Sequence, residues 1–171
     1  MDEIELVPPD PEWPQRFQDE AARLRALIPG DLLIGLDHIG STAIPGIPAK
    51  PIIDVLAAVT DLQAARERLV EPLAQAGYAF WADNPATDRL FFVKGLPPSA
   101  PRRTHHLHIM ELGATTRRHL AFRDYLRAHP EEAARYAGLK ATLAERYRDD
   151  REAYTEAKTA YVERVLAKAG A

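Results

Sequence analysis

Cysteine is absent from the 171-residue chain, so disulfides, thiolate metal ligands and a cysteine nucleophile are excluded, which fits an intracellular protein. No apolar run approaches the roughly 20 residues that span a bilayer, and Met1, Asp2 and Glu3 are acidic where a secretory signal is basic. A cytoplasmic protein without a membrane partner is expected. The basic excess of a nucleic-acid binder is also missing: the net charge is -3, which argues against polymeric nucleic acid. No Gly-rich strand-to-helix fingerprint or P-loop occurs, so neither a dehydrogenase nor a P-loop ATPase is supported.

What is present is enough for one domain spanning residues 1–171, since a chain of this length buries about 70 % of the surface that its unfolded form exposes. Ile4, Leu6 and the prolines at 8, 9 and 11 predict a short strand ending in a rigid turn. Trp13 and Pro14 open a helix that Pro29-Gly30 stops. Strands are expected over 32–39, 51–59, 78–81, 89–94 and 104–111, the last two as an antiparallel pair, with a helix capped by Thr60 or Asp61 running to about Ala76. After Gly113 the pattern is helical: one helix capped by Thr115 or Thr116, another begun by Pro130, and a last from about Arg151 to Ala169. The fold class is α+β, a mixed sheet of about five strands with flanking helices and a C-terminal helical bundle beside the site.

The chemistry concentrates between His38 and Leu56. Gly40 and Ser41 form a turn whose bare amides can approach a phosphate, with Thr42 beside them, and twelve residues later Asp54 stands alone among Ile52, Ile53, Val55 and Leu56. An unpartnered carboxylate there costs several kcal/mol to bury, so Asp54 needs a cation, hydrogen bonds or water. Two roles are open, a latch on the loop amides or a metal ligand. Lys50, four residues earlier, shares the face of Asp54 if the strand already runs there, and can pair with it or meet a phosphate.

The second cluster is Arg103 to Glu111. Alternation puts Thr104, His106 and His108 on one face and His105, Leu107, Ile109 and Glu111 on the other, so two imidazoles two residues apart can join Asp54 around one ion or bond the substrate directly. A triple-histidine hydrolase pattern fails because its third place is Met110. His38 either points into the site or is a satisfied, half-buried histidine. Arg89, Lys94, Arg102 and Arg103 stand at the strand ends and suit an anion such as a triphosphate. From the following helix, Arg117 or Arg123 is the candidate to reach the site. Tyr136, Leu139, Leu143 and Tyr147 read as packing.

Several blocks together resemble the GrpB family, within the nucleotidyltransferase superfamily that shares the fold of DNA polymerase β. They are Val7-Pro8, Asp10-Pro11-Glu12-Trp13, His38 to Asp54, Phe91 to Gly95, Arg103 to His108 and Phe122 to Leu126. The resemblance implies a nucleotidyltransferase-like mixed sheet followed by helices, and in some bacteria similar domains are fused to dephospho-coenzyme A kinase. It assigns the phosphate grip to Gly40 and Ser41 and the first metal carboxylate to Asp54. The second carboxylate falls on Leu56, and the third on the region His106 to Glu111.

Three functions follow as expectations. The first is metal-dependent transfer of a nucleoside monophosphate from an NTP to a small acceptor, with Asp54 and Ser41 catalytic, Gly40, Ser41, Thr42, Lys50, Arg103 and Arg123 binding substrate, and Asp54, His106 and His108 holding magnesium, manganese or zinc. The second is binding of a nucleotide or coenzyme without catalysis, favoured by Leu56. The third is metal-assisted hydrolysis of a phosphate ester. The partner in each case is a phosphate-bearing small molecule.

Overall fold

An uninterrupted apolar strand with a single carboxylate belongs inside a sheet, where both faces are covered. In the computed structural model, which describes residues 5–171 apart from the side chain of Arg151, that strand is β2 (Ile53–Val59). It pairs antiparallel with β1 (Leu33–Ile39) and parallel with β5 (His105–Glu111). β4 (Leu90–Lys94) lies antiparallel to β5, and β3 (Tyr78–Phe80) closes the far edge, giving the order β1-β2-β5-β4-β3. The α+β class with a five-stranded mixed sheet is therefore as expected, as is the antiparallel β4–β5 pair.

Helices cover both faces. α1 (Trp13–Leu27) and α2 (Leu62–Gln75) bury Trp13, Phe17, Leu24, Leu69 and Leu73 against Val55, Phe92, Leu107 and Ile109. α2 begins at Asp61, whose carboxylate accepts the Ala64 amide at 2.7 Å. On the opposite face α3 (Ala114–Ala128) packs Leu120 on Ile39, Leu56 and Met110, and α4 (Pro130–Arg146), α5 (Arg151–Ala157) and α6 (Thr159–Ala169) build a bundle with it. Their own core of Leu126, Tyr136, Tyr161 and Val165 takes in Ile44 and Ile47 from the β1–β2 connection. The helical end thus seats on the loop that follows Gly40-Ser41.

Several boundaries differ from the sequence reading. Around Val7 there is a single bridge, Val7 to Ala49, rather than a strand, and Ile4 lies outside the described residues. β2 starts at Ile53, two residues after Pro51, which has no N–H to donate to a ladder; Lys50 therefore lies in the connection and not on the strand face of Asp54. Gly113, rather than Thr115 or Thr116, caps α3. Thr116 supports it from inside the first turn, its hydroxyl accepting the Gly113 N–H and donating to the Gly113 carbonyl, both at 2.9 Å. The last helix is split at Lys158, where hydrogen bonding shortens to Lys158 N–H on the Thr155 carbonyl.

On the α1 side, Glu20 is 1 % exposed yet charged. Burial pushes its carboxyl up, but hydrogen bonds from Lys94 and Tyr78, each at 2.8 Å, outweigh this and hold it below the usual range. A carboxylate lowered on folding stabilises the protein above about pH 4.5, its ordinary value, and loses that contribution as pH falls through the folded value. Lys94→Met is expected to cost about 1–3 kcal/mol at pH 7, with a smaller difference from the parent at pH 3, as read by urea unfolding at the two pH values. Equal differences at both would show that the ion pair is not the source. Phe92→Ala, a fully buried side chain of β4, is expected to lose about 3–5 kcal/mol in the same measurement.

Candidate metal and anion site

The parallel pairing of β2 with β5 sets Asp54 opposite His106 and Leu56 opposite His108. Side chains two apart on a strand share a face, so all four look toward α3 and α4. Asp54 Oδ1 lies 3.2 Å from His106 Nδ1 and 3.3 Å from His108 Nε2. Phe91, in register with His108, sets its ring 5.2 and 4.9 Å from the two imidazoles and holds them from the β4 side. Burial alone would raise the Asp54 carboxyl, but hydrogen bonds from both histidines hold it far below the usual range, so it is ionised. Among the described residues its hydrogen-bond partners are these imidazoles and not the amides of the Gly-Ser turn, so the latch role is not the one adopted.

Gly40 ends β1 beside this carboxylate, with φ 73° and ψ -175°, a conformation essentially restricted to glycine. Ile39 is the register partner of Asp54, and a Cβ on Gly40 would stand 2.5 Å from Asp54 Oδ2. Backbone therefore reaches the carboxylate where any side chain would collide. Ser41 then starts a single 3-10 turn (Ser41–Ala43), and its side chain shares a hydrogen bond with Tyr136 of α4. Tyr136, read as packing, thus also touches the turn.

Carboxylate and turn open on one cavity of about 700 Å³ between the sheet and the C-terminal helices. Among the described residues its lining contains one carboxylate, Asp54, and six lysines and arginines, Lys50, Arg89, Arg103, Arg118, Lys140 and Lys158, of which Arg89 is paired with Asp88 at 2.9 Å and Arg118 with Glu163 at 2.6 Å. Gly40, Ser41, Thr42, Lys50, Asp54, Arg103, His106 and His108 all line it, so the sequence candidates converge, with Arg123 the exception. Arg123 is occupied elsewhere: it bonds Asp37 at 3.0 Å, Asp124 at 2.8 Å and the His38 carbonyl at 3.1 Å, tying α3 to β1. Arg117 is likewise outside the lining. One turn of α3 rotates successive residues by about 100°, and the face turned to the cavity carries Thr115, Arg118, His119 and Phe122 instead. The spacing of those four was the available signal.

Thr42 lines the cavity, but its hydroxyl is taken: it donates to the Ile52 carbonyl at 3.3 Å and accepts from His38 Nε2 at 2.9 Å. His38 faces away, stacked on Phe17 at 4.9 Å, and burial, with the charge of Arg127, pushes it down to about 4. It is the satisfied neutral histidine. Lys94 is paired with Glu20 on the opposite face, Arg102 sits 3.8 Å from Glu5 at the surface, and Glu111 accepts the Leu62 amide of α2 at 2.9 Å. Only Arg89 and Arg103 of the four strand-end cations line the cavity.

Asp54, His106 and His108 offer three ligand atoms within 4.8 Å of one another, a span that one ion can bridge. Ligands about 2.0–2.1 Å from a tetrahedral ion stand about 3.4 Å apart, close to the 3.2 and 3.3 Å measured from Asp54 to the two nitrogens. Two nitrogens and one oxygen suit zinc or manganese better than magnesium. His106 Nε2 and His108 Nδ1, the ring atoms turned away from Asp54, are buried with no hydrogen-bond partner among the described residues. The fit therefore lies in the inner ligands and not in an outer shell. Among the described residues no second carboxylate stands on this face: Leu56, 1 % exposed, packs with Ile39, Met110 and Leu120.

A GrpB protein model matches residues 3–168. A UPF0157 protein from Pseudomonas aeruginosa is 51 % identical over 98 % of this chain and 68 % of its own length. A dephospho-CoA kinase from Mycolicibacterium paratuberculosis is 36 % identical over 91 % of this chain, which spans only 43 % of that longer protein. The crystal structure of conserved protein GrpB from Enterococcus faecalis superposes with a TM-score of 0.83 at 32 % identity, covering 96 % of both chains. With the sheet, the Gly-Ser turn and the histidine-flanked aspartate in place, the chain belongs to the GrpB family.

Proposed function

We propose that the chain binds a phosphate-bearing nucleotide, or a coenzyme built on one, in this cavity, with one divalent ion held by Asp54, His106 and His108. The observation that carries the reading is that one cavity joins three candidate metal ligands to the Gly-Ser turn and to six lysines and arginines, of which Arg89 and Arg118 are also paired with Asp88 and Glu163. A polyanion balances such a lining, and 700 Å³ falls in the range of small-molecule sites. Gly40 and Ser41 supply the close backbone approach, Lys50 and Arg103 the countercharge, and Trp81, half-exposed at the rim beside Phe91, a flat surface for a ring. The relative named as a dephospho-CoA kinase agrees in kind, since that name concerns a nucleotide-bearing molecule.

Transfer of a nucleoside monophosphate is the second reading. It is favoured by the placement of Gly40, Ser41 and Asp54 at one cavity, as in the superfamily that the sequence resembles. A bound ion would supply Lewis-acid stabilisation of the phosphoryl oxygens. Asp54 would hold it, Ser41 would position the phosphates, and the buried Leu56 leaves no side for a paired second ion, so any transfer would rest on a single metal centre.

Zinc and manganese titrated calorimetrically into the protein are expected to bind with one-to-one stoichiometry, and Asp54→Ala and His108→Ala each to lose at least about tenfold in affinity. Undiminished binding in both variants would remove the metal from the site. Gly40→Ala is expected to cost about 1–3 kcal/mol of stability and also to weaken metal and ATP binding, because its Cβ displaces the Asp54 carboxylate. Pyrophosphate release from NTPs that depends on Asp54, with the nucleoside monophosphate recovered on an added acceptor, would establish transfer, whereas release with free nucleoside monophosphate would show hydrolysis. Nucleotide binding without release under any of the three metals would leave the binding role alone.

A further inference from the structure

Of the three large apolar side chains exposed among the described residues, Ile34, Trp81 and Leu112, Trp81 alone lines the cavity. Its backbone is fixed: the Trp81 N–H donates to the Phe91 carbonyl at 2.9 Å, one residue beyond the Phe80–Phe92 pair that ends β3. Its ring meets Phe91 with centroids 5.8 Å apart and planes at 65°, and Phe91 in turn stands 4.9 Å from His108. The indole therefore sits two ring contacts from the candidate metal ligands, with 49 % of the residue uncovered. A half-open indole on a concave wall is an unfilled stacking surface, and covering it with a flat ring takes apolar area out of water.

The chain turns directly after this ring, and Asn84 returns to the same cavity wall. The Asn84 N–H donates to the Trp81 carbonyl at 3.4 Å, and the Ala86 N–H donates to Asn84 Oδ1 at 2.9 Å. A backbone amide only donates, so this bond settles which end of the carboxamide is oxygen. The oxygen is engaged by the turn, and the NH2 group has no hydrogen-bond partner among the described residues. Further along, Asp88 accepts a hydrogen bond from Thr115 and pairs with Arg89, which ties the segment to α3. Asn84 is thus a held lining residue whose available group is a pair of donors. Guanine offers two acceptors, N7 and O6, on one edge, and uracil, like thymine, offers O4, whereas adenine and cytosine carry an NH2 donor at the corresponding place. A donor set against a donor leaves both without a partner, a loss of about 1–3 kcal/mol for each buried group.

We propose that the segment from Trp81 to Ala86 reads the base of the bound nucleotide: Trp81 stacks on the ring, and the Asn84 NH2 group selects an oxo base, guanine or uracil, over adenine and cytosine. This rests on the proposed nucleotide site and adds what that reading leaves open, the identity of the base. The phosphates then lie at Gly40 and Ser41, and the base lies beyond Phe91, toward β3. Selection comes from the unpaired donor that the wrong base leaves behind, so it does not depend on the strength of the phosphate grip.

The test is calorimetric titration of GTP, UTP, ATP and CTP, and of base-free tripolyphosphate, into the full chain with manganese present. Parent protein is expected to bind GTP and UTP at least about fivefold more tightly than ATP and CTP. Asn84→Ala is expected to erase that ratio. Asn84→Asp keeps an oxygen for the Ala86 N–H and puts an acceptor where the NH2 group stood, so it is expected to reverse the ratio, whatever its added charge does to all four affinities. Trp81→Ala is expected to weaken all four nucleotides at least about fivefold and to leave tripolyphosphate unchanged. Trp81 and the buried Trp13 are the two tryptophans of the chain. Nucleotides are therefore expected to quench the emission of the parent but not of Trp81→Phe, while the emission of Trp13 reports that each variant folds. Equal affinities or a preference for ATP or CTP in the parent, or a Trp81→Ala variant that binds as the parent does, overturns the base reading and leaves the nucleotide site standing. Binding of none of the five compounds overturns the nucleotide site and the base reading together.

Discussion

The site depends on one contact: the carboxylate of Asp54 shared between two imidazoles of the neighbouring parallel strand. An acid in a strand of isoleucine, valine and leucine is tolerable only if its charge is answered nearby, and the β2–β5 register answers it with nitrogens at 3.2 and 3.3 Å. A slip of one residue between these strands would turn His105 and Leu107 to the carboxylate and send both imidazoles to the α1–α2 core. Sheet order and site chemistry therefore constrain each other.

Around that contact the molecule separates its two faces by chemistry. One is a hydrocarbon layer under α1 and α2 that takes in two buried polar groups, Glu20, matched by Lys94, Tyr78 and Arg23, and His38, stacked on Phe17 and bonded to Thr42. The other is deliberately incomplete. Leu56, Met110 and Ile39 pack beneath α3, but beside them the sheet faces an open volume walled by cations. Charges of one sign facing a cavity repel each other, and every turn that holds them there lowers the cost of taking in an anion.

Much of this was legible in the chain. Period-two alternation placed His106 and His108 together, and an isolated aspartate in an apolar strand announced a partner. Lys50 would share the strand face of Asp54 only if the strand already ran there, which Pro51 prevents, and Arg123 was expected at the cavity although Asp37 and Asp124 claim it. Both differences come from local competition, in one case for a backbone donor and in the other for a carboxylate: Pro51 and Asp124 are the immediate chain neighbours, while Asp37 reaches Arg123 from β1.

The sequence by itself determined the elements, the α+β class and the residues able to bear charge or bind metal, because periodicity, proline and glycine act over a few residues. Tertiary structure alone decided that β2 and β5 run parallel, that Leu56 closes the place of a second carboxylate, and that Arg118, His119, Lys140 and Lys158 line one cavity with the Gly-Ser turn. Those contacts join segments up to about a hundred residues apart. Their selection rests on how buried surfaces fit together, which no local spacing records.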